Sequence, residues 1–288
     1  MRPIVLSAVA SFLLLAGCAN PPKKLVVGSK LSSEGAVIGE ILAQHIQNKL
    51  GLPVERRDGM QSSLTAHQSL LSGEVDLYAE DTGTAYYIIF RLPLSNDLDI
   101  LNSRVPLEYQ SMRLKWLAPL GLMASYAVIA SPEKVKVSKL SAMRDLDQPL
   151  TMSSTLEFQS RLDGFPKLSA AYRIRLSGAV KTVDPDQVGP QVTQNLSHLA
   201  VVSTADAILA SDKVKILEDD EKVFMSYPTA VVVGEKTLAN NPQLEGVLKQ
   251  LEGKLSIETL RKLLVGVKTQ SKTPAAVAGE FLQQAGLR

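Results

Sequence analysis

Residues 75–87 read VDLYAEDTGTAYY, a β-leaning run that meets two adjacent acids and a Thr-Gly-Thr turn before an aromatic, apolar pattern resumes. The run Val75–Ala79 has the branched and aromatic residues of a strand, and Thr82–Thr84 opens a helix. Glu80 and Asp81 therefore stand where a strand gives way to a helix. Two readings follow from that position. Asp81 or Thr82 can accept hydrogen bonds from first-turn N–H groups as a cap. The acids can equally form the floor of a site for a positively charged ligand.

Outward from this stretch, strands and helices alternate. KLVVGSK (24–30) reads as a strand, and a helix follows with Ile38, Leu42, Ile46 and Leu50 at helical spacing, stopped by Gly51. PVERRDG (53–59) reads as a strand and SSLTAHQSLLSGE (62–74) as a helix starting at Ser62 or Ser63. This order predicts an α/β sheet with parallel neighbours. RLPLSNDLDILNS (91–103) reads as loop, with the next helix starting at Pro106. The alternation restarts near Tyr126, and the C-terminal helices, around 242–252, 256–267 and 273–285, have no sheet of their own. The expected architecture is α/β and two-lobed, with a discontinuous first lobe (25–125 and 229–288) and a second lobe (126–228) inserted in it. Crossover strands near Tyr126 and Tyr227 form the hinge.

The N-terminus reads as a lipoprotein signal over 1–17. Arg2 is followed by a short apolar run and LAGC, in which Cys18 is the sole cysteine of the chain. LAGC resembles the bacterial lipobox, so cleavage before Cys18 and lipidation of Cys18 are expected, with 18–24 as a tether and no disulfide. Nothing after Cys18 reaches the length of a spanning helix, so the lipid is the expected membrane contact. The predicted location is the bacterial cell envelope, facing the periplasm or the outside.

Composition argues against several classes. The formal charge of +2, which becomes +1 without Arg2, and the absence of a Lys/Arg block give no footprint for nucleic acid. His45, His67 and His198 lie far apart, none in a metal-ligating spacing, and no nucleophile elbow or phosphate loop occurs. The chain is read as a monomeric binding protein without cofactor or metal, not as an enzyme. Lys30 after a strand, Thr82–Thr84 before a helix, and Tyr126 and Tyr227 at the two crossings mark a cleft between lobes as the place for a ligand.

The segments VVGSK, GEVDLYAEDTGTA, WLAPLGL, SYAVIA, EFQSRLDG, LEDD and SYPTAVVV follow the order and spacing of a known family. Over Leu25–Leu287 the chain resembles the osmoprotectant-binding proteins of ABC importers, which bind glycine betaine, choline and related compounds. The resemblance implies a type II periplasmic-binding-protein fold that closes on a solute and passes it to a permease and an ATPase. It implies Lys30, Thr84 and Arg161 around a ligand carboxylate, a fitting task for a point charge and a forked donor. The alternative for Arg161 is a structural arginine bridging to Glu157 or Asp163 on the same stretch. The resemblance also implies Tyr126 and Tyr227 as two walls of an aromatic cage for a quaternary ammonium. Asp81 and Val202 stand where the family has two further rings. Each lost ring should weaken a trimethylammonium by roughly 0.5 to 2 kcal/mol. Asp81 then becomes a possible partner for an amino-acid-like cation. A different class, a sensory or structural lipoprotein uncoupled from transport, shares the same residues.

Overall fold

A computed structural model describes residues 24–288, so the signal, Cys18 and most of the tether lie outside the described residues. The first sheet is built from β1 (Leu25–Lys30), β2 (Val54–Met60) and β3 (Leu77–Asp81), connected by α1 (Ser33–Leu50) and α2 (Ser63–Ser72). β1 pairs in parallel with both β2 and β3, the geometry that helical crossovers impose. α3 (Thr82–Thr84) continues β3 and runs into a wide turn over Ala85–Ile89. The chain then forms α4 (Leu98–Ser111) and β4 (Leu114–Ala124).

Here the structure corrects one boundary. The segment 98–105 is helical rather than loop, and Pro106 lies inside α4 instead of opening it. Asp97 caps the helix through the Asp99 amide at 2.9 Å, and Leu101, Val105 and Tyr109 bury one face at helical spacing. That burial and the cap outweigh the one backbone hydrogen bond the proline removes.

After Ser125 the chain changes sheets. β5 (Tyr126–Ala130), β6 (Met152–Ser154), β7 (Lys181–Thr182), β8 (Leu199–Ser203) and β9 (Lys215–Leu217) form the second sheet, in the order β7-β6-β8-β5-β9. Its helices are α5 (Leu156–Ser160), α6 (Phe165–Tyr172) and α7 (Pro185–Thr193). β10 (Tyr227–Gly234) returns to the first sheet, antiparallel between β3 and β4, giving the order β2-β1-β3-β10-β4. α8 (Glu235–Asn240), α9 (Leu244–Lys249), α10 (Ile257–Gln270) and α11 (Pro274–Gln284) complete the chain. The two crossings lie side by side: Tyr227 pairs with Ala124, and the Ser125 hydroxyl donates to the Met225 carbonyl at 2.9 Å.

Each sheet has apolar cores on both sides. α1 and α9–α11 cover one face of the first sheet, and α2 and α4 cover the other. β3 serves both: Leu77 faces the α1 side and Tyr78 the α2–α4 side. Strand alternation therefore puts Glu80 on the face of Tyr78, at the strand end where the core gives way to the cleft between the sheets.

Candidate functional site

Lys30, Asp81, Thr84, Tyr126, Arg161 and Tyr227 all line one cleft of about 990 Å³ between the two sheets, and Val202 lines it too. The first wall is the end of the parallel strands. Lys30 closes β1 and Glu80 nearly closes β3, and Lys30 Nζ lies 2.7 Å from Glu80 Oε1. The Asp81 amide donates to that same oxygen at 2.9 Å. Glu80 is 0 % exposed, and its Oε2 has no hydrogen-bond partner among the described residues. Burial pushes the Glu80 carboxyl up to about 7, assisted by the negative charges of Asp81 and Glu157 and opposed by Lys30. Burial also works against the Lys30 charge, but Glu80, Asp81 and Glu157 together outweigh it and raise the ammonium's pKa.

Asp81 is the N-cap of α3. Its Oδ1 accepts from the Thr84 amide at 2.7 Å and its Oδ2 from the Thr84 hydroxyl at 2.8 Å. Although burial opposes its charge, Lys30, Arg161 and these two donors hold the carboxyl below its usual range. Of the two readings that the sequence leaves open, the contacts within the protein are those of a cap. The glycine of TGT is required by packing: a Cβ on Gly83 would overlap the Tyr227 ring.

The second wall centres on Arg161, the residue after α5, which is 1 % exposed. Asp163 holds it at Nε and Nη2, at 2.7 and 3.0 Å. Nη1 donates to the Thr84 hydroxyl at 3.1 Å and to the Tyr126 hydroxyl at 2.8 Å. Four of the five guanidinium N–H groups are thereby engaged. The Tyr227 hydroxyl donates to Asp163 Oδ2 at 2.6 Å. Three tyrosine rings surround the guanidinium carbon, Tyr126 at 5.2 Å, Tyr227 at 5.7 Å and Tyr87 at 5.9 Å. The glycine that ends the EFQSRLDG segment is fixed in the same way as Gly83, since a Cβ on Gly164 would overlap the Phe158 carbonyl.

The sequence offers Glu157 or Asp163 as a structural partner of Arg161, and the structure gives that contact to Asp163, which also accepts from Tyr227. Two further contacts at this site are absent from the sequence expectations. Glu157 accepts weakly from the Ser63 amide across the cleft at 3.4 Å. Asp186, at the start of α7, accepts from the Ser33 amide and hydroxyl at 3.0 and 2.8 Å and pairs with Lys268 of α10 at 2.7 Å. A carboxylate at the N-terminus of α1 is favoured by the free amides and dipole there. Among the described residues no helix is long and apolar enough to cross a membrane.

Two sheets with helices on their faces, joined by adjacent crossings and enclosing a cleft lined by charged and aromatic residues, define a two-lobed solute-binding protein. Residues 23–284 match the family described as the substrate binding domain of ABC-type glycine betaine transport systems, and the chain belongs to that family. It is 26 % identical to a carnitine transport binding protein of Listeria monocytogenes, over 96 % of this chain and 93 % of that one. It is 29 % identical to an ergothioneine transport permease/binding protein of Helicobacter pylori, matching 97 % of this chain but spanning only about half (52 %) of the relative. The fold is similar to the crystal structure of a glycine betaine/carnitine/choline ABC transporter protein, with a TM-score of 0.73 and 19 % identity over 92 % of this chain and 99 % of that one. It is also similar to a lactococcal protein in its closed form with glycine betaine, with a TM-score of 0.63 and 13 % identity over 92 % and 96 % of the two chains.

Proposed function

We propose that this chain is the solute-binding component of an ABC importer. It captures a small quaternary-ammonium, or related zwitterionic or cationic, solute between its lobes and delivers it to a permease driven by an ATPase. The observation that carries this reading is the convergence of Lys30, Thr84, Arg161, Tyr126 and Tyr227, from both lobes, on a single cleft. With lobes divided at 25–125, 126–228 and 229–288, as proposed from the sequence, that cleft would be an interlobe one, the usual place for a closing ligand site. Lipidation at Cys18 would hold the monomeric body at the outer face of a membrane. Fatty-acid labelling of the native precursor, lost on Cys18→Ser, tests that part.

Thermal-shift and calorimetric screening of the Cys18→Ser chain with glycine betaine, choline, carnitine and ergothioneine tests capture itself. Saturable one-to-one binding supports it. A chain that binds no small nitrogen-containing solute, on a correctly folded sample, overturns it.

A further inference from the structure

The connection between β8 and β9 belongs to the second sheet by sequence but packs on both sheets. Ala205 and Ala207 lie in the core that α1 and α9–α11 build on the first sheet, where they are 0 % and 6 % exposed. One tight helical turn follows, Ala207–Ala210, and from it Ile208 and Leu209 lie half-buried against the core of the second sheet. Ile208 meets α7 at Gly189, where even a Cβ would crowd it, so that contact is made with bare backbone.

The first-sheet side also holds the main chain. Arg261 of α10 donates to the Thr204 carbonyl from both Nε, at 3.0 Å, and Nη2. The Thr204 amide donates in turn to the Ser125 carbonyl at 3.0 Å, beside the first crossing. A charged fork closing on one carbonyl fixes the direction of the chain as well as its place.

α10 receives the second-sheet chain along a single face. Arg261, Leu264 and Lys268 are three and four residues apart, which aligns them as one stripe. Arg261 holds Thr204, Leu264 shares its core with Ala205 and Ala207, and Lys268 pairs with Asp186 of α7 at 2.7 Å. The two ends of the stripe differ in their access to water. The Lys268 and Asp186 side chains are 27 % and 41 % exposed, so hydration can replace that pair at little cost. Lifting the other end would expose two buried alanines and take both Arg261 donors from the Thr204 carbonyl.

We propose that Thr204–Ala207 is a fixed foot on α10 about which the second sheet turns, while Asp186–Lys268 is the contact that releases. The hinge then rests on three supports, the crossings near Tyr126 and Tyr227 and this foot. Residues 204–210 move with the first sheet, although their place in the sequence assigns them to the second. This inference concerns how the cleft opens and is independent of which solute it captures.

Spin labels on the Cys18→Ser chain follow the two ends separately. One pair joins Asn48→Cys of α1 to Ala210→Cys beside the foot, and the other joins Asn48→Cys to Gln187→Cys of α7, all at exposed positions. Pulsed electron paramagnetic resonance then gives each distance distribution with Asp186 present and with Asp186→Ala. The 48–187 distribution shifts to longer distances in Asp186→Ala while the 48–210 distribution keeps its position, and adding Arg261→Ala shifts the 48–210 distribution too. Should that double variant fail to fold, Arg261→Gln takes its place. A 48–210 distance that lengthens with 48–187 in Asp186→Ala alone shows the foot travelling with the second sheet and overturns the inference. Two unchanged distributions in Asp186→Ala overturn it as well, since no end then releases, as does a 48–210 distribution indifferent to Arg261. Solute capture is decided separately, by the calorimetric screen above.

Discussion

Asp163 grips the Arg161 guanidinium through both of its oxygens, at 2.7 and 3.0 Å, with the two side chains only 4 % and 1 % exposed. A bidentate pair with this little water is held by geometry as much as by charge. Asp163→Asn leaves Arg161 buried with a weakened partner. Breaking a buried pair in this way costs about 3 to 5 kcal/mol, so the urea midpoint should fall sharply. A midpoint equal to wild type would mean that water already screens the pair.

Asp81 caps α3 with both oxygens. Asp81→Ala should lower stability by about 1 kcal/mol, and Asp81→Asn by less, because an amide oxygen still accepts from the Thr84 amide. Calorimetry on the two variants should find the ranking of solutes unchanged. A changed ranking would place Asp81 on the ligand instead.

Asp186 joins the lobes by receiving Ser33 of α1 and pairing with Lys268 of α10. Removing it in Asp186→Ala disfavours closure by on the order of 1 kcal/mol, which corresponds to roughly fivefold weaker solute binding. Small-angle scattering should record a larger radius of gyration for the variant without solute. Identical scattering and affinity would show that the closed form does not need this contact.

Glu80 gives a pH signature. Its carboxyl titrates near 7 in the folded chain, above the ordinary value of 4.5 that applies when unfolded, so the folded state holds a proton that the unfolded state releases. Its contribution to stability is therefore fully present below pH 4.5 and is lost as the pH rises toward 7. Glu80→Gln removes this dependence, so denaturation midpoints at about pH 5 and about pH 8 should shift in favour of the variant at the higher pH. A difference between the two proteins that does not change with pH contradicts the assigned titration.

Local order was readable from sequence where local chemistry decides it. Gly51 does stop α1, Ser62 does cap α2, and Tyr126 and Tyr227 do begin the strands at the two crossings. The start of α4 was obscured by Pro106, because the long-range burial of Leu101 and Tyr109 that overrides the proline is not a local property. The cleft residues were legible as residue types placed at strand and helix ends. Their partners were less so: Asp163 meets Tyr227 across 64 positions and Asp186 meets Ser33 across 153, contacts that exist only once the lobes come together. Glu80 shows the same limit, since its burial follows from strand parity, but the missing partner of Oε2 requires the whole wall.

The central claim is that one solute is held by both lobes at once. Calorimetric titration of the best-binding solute into wild type, Lys30→Ala and Tyr126→Ala tests it most directly, because these residues sit on opposite walls of the cleft. The account predicts one site per chain, with each variant at least about tenfold weaker than wild type, or about 1.4 kcal/mol. Undiminished one-to-one binding in either variant would contradict it and place the solute elsewhere.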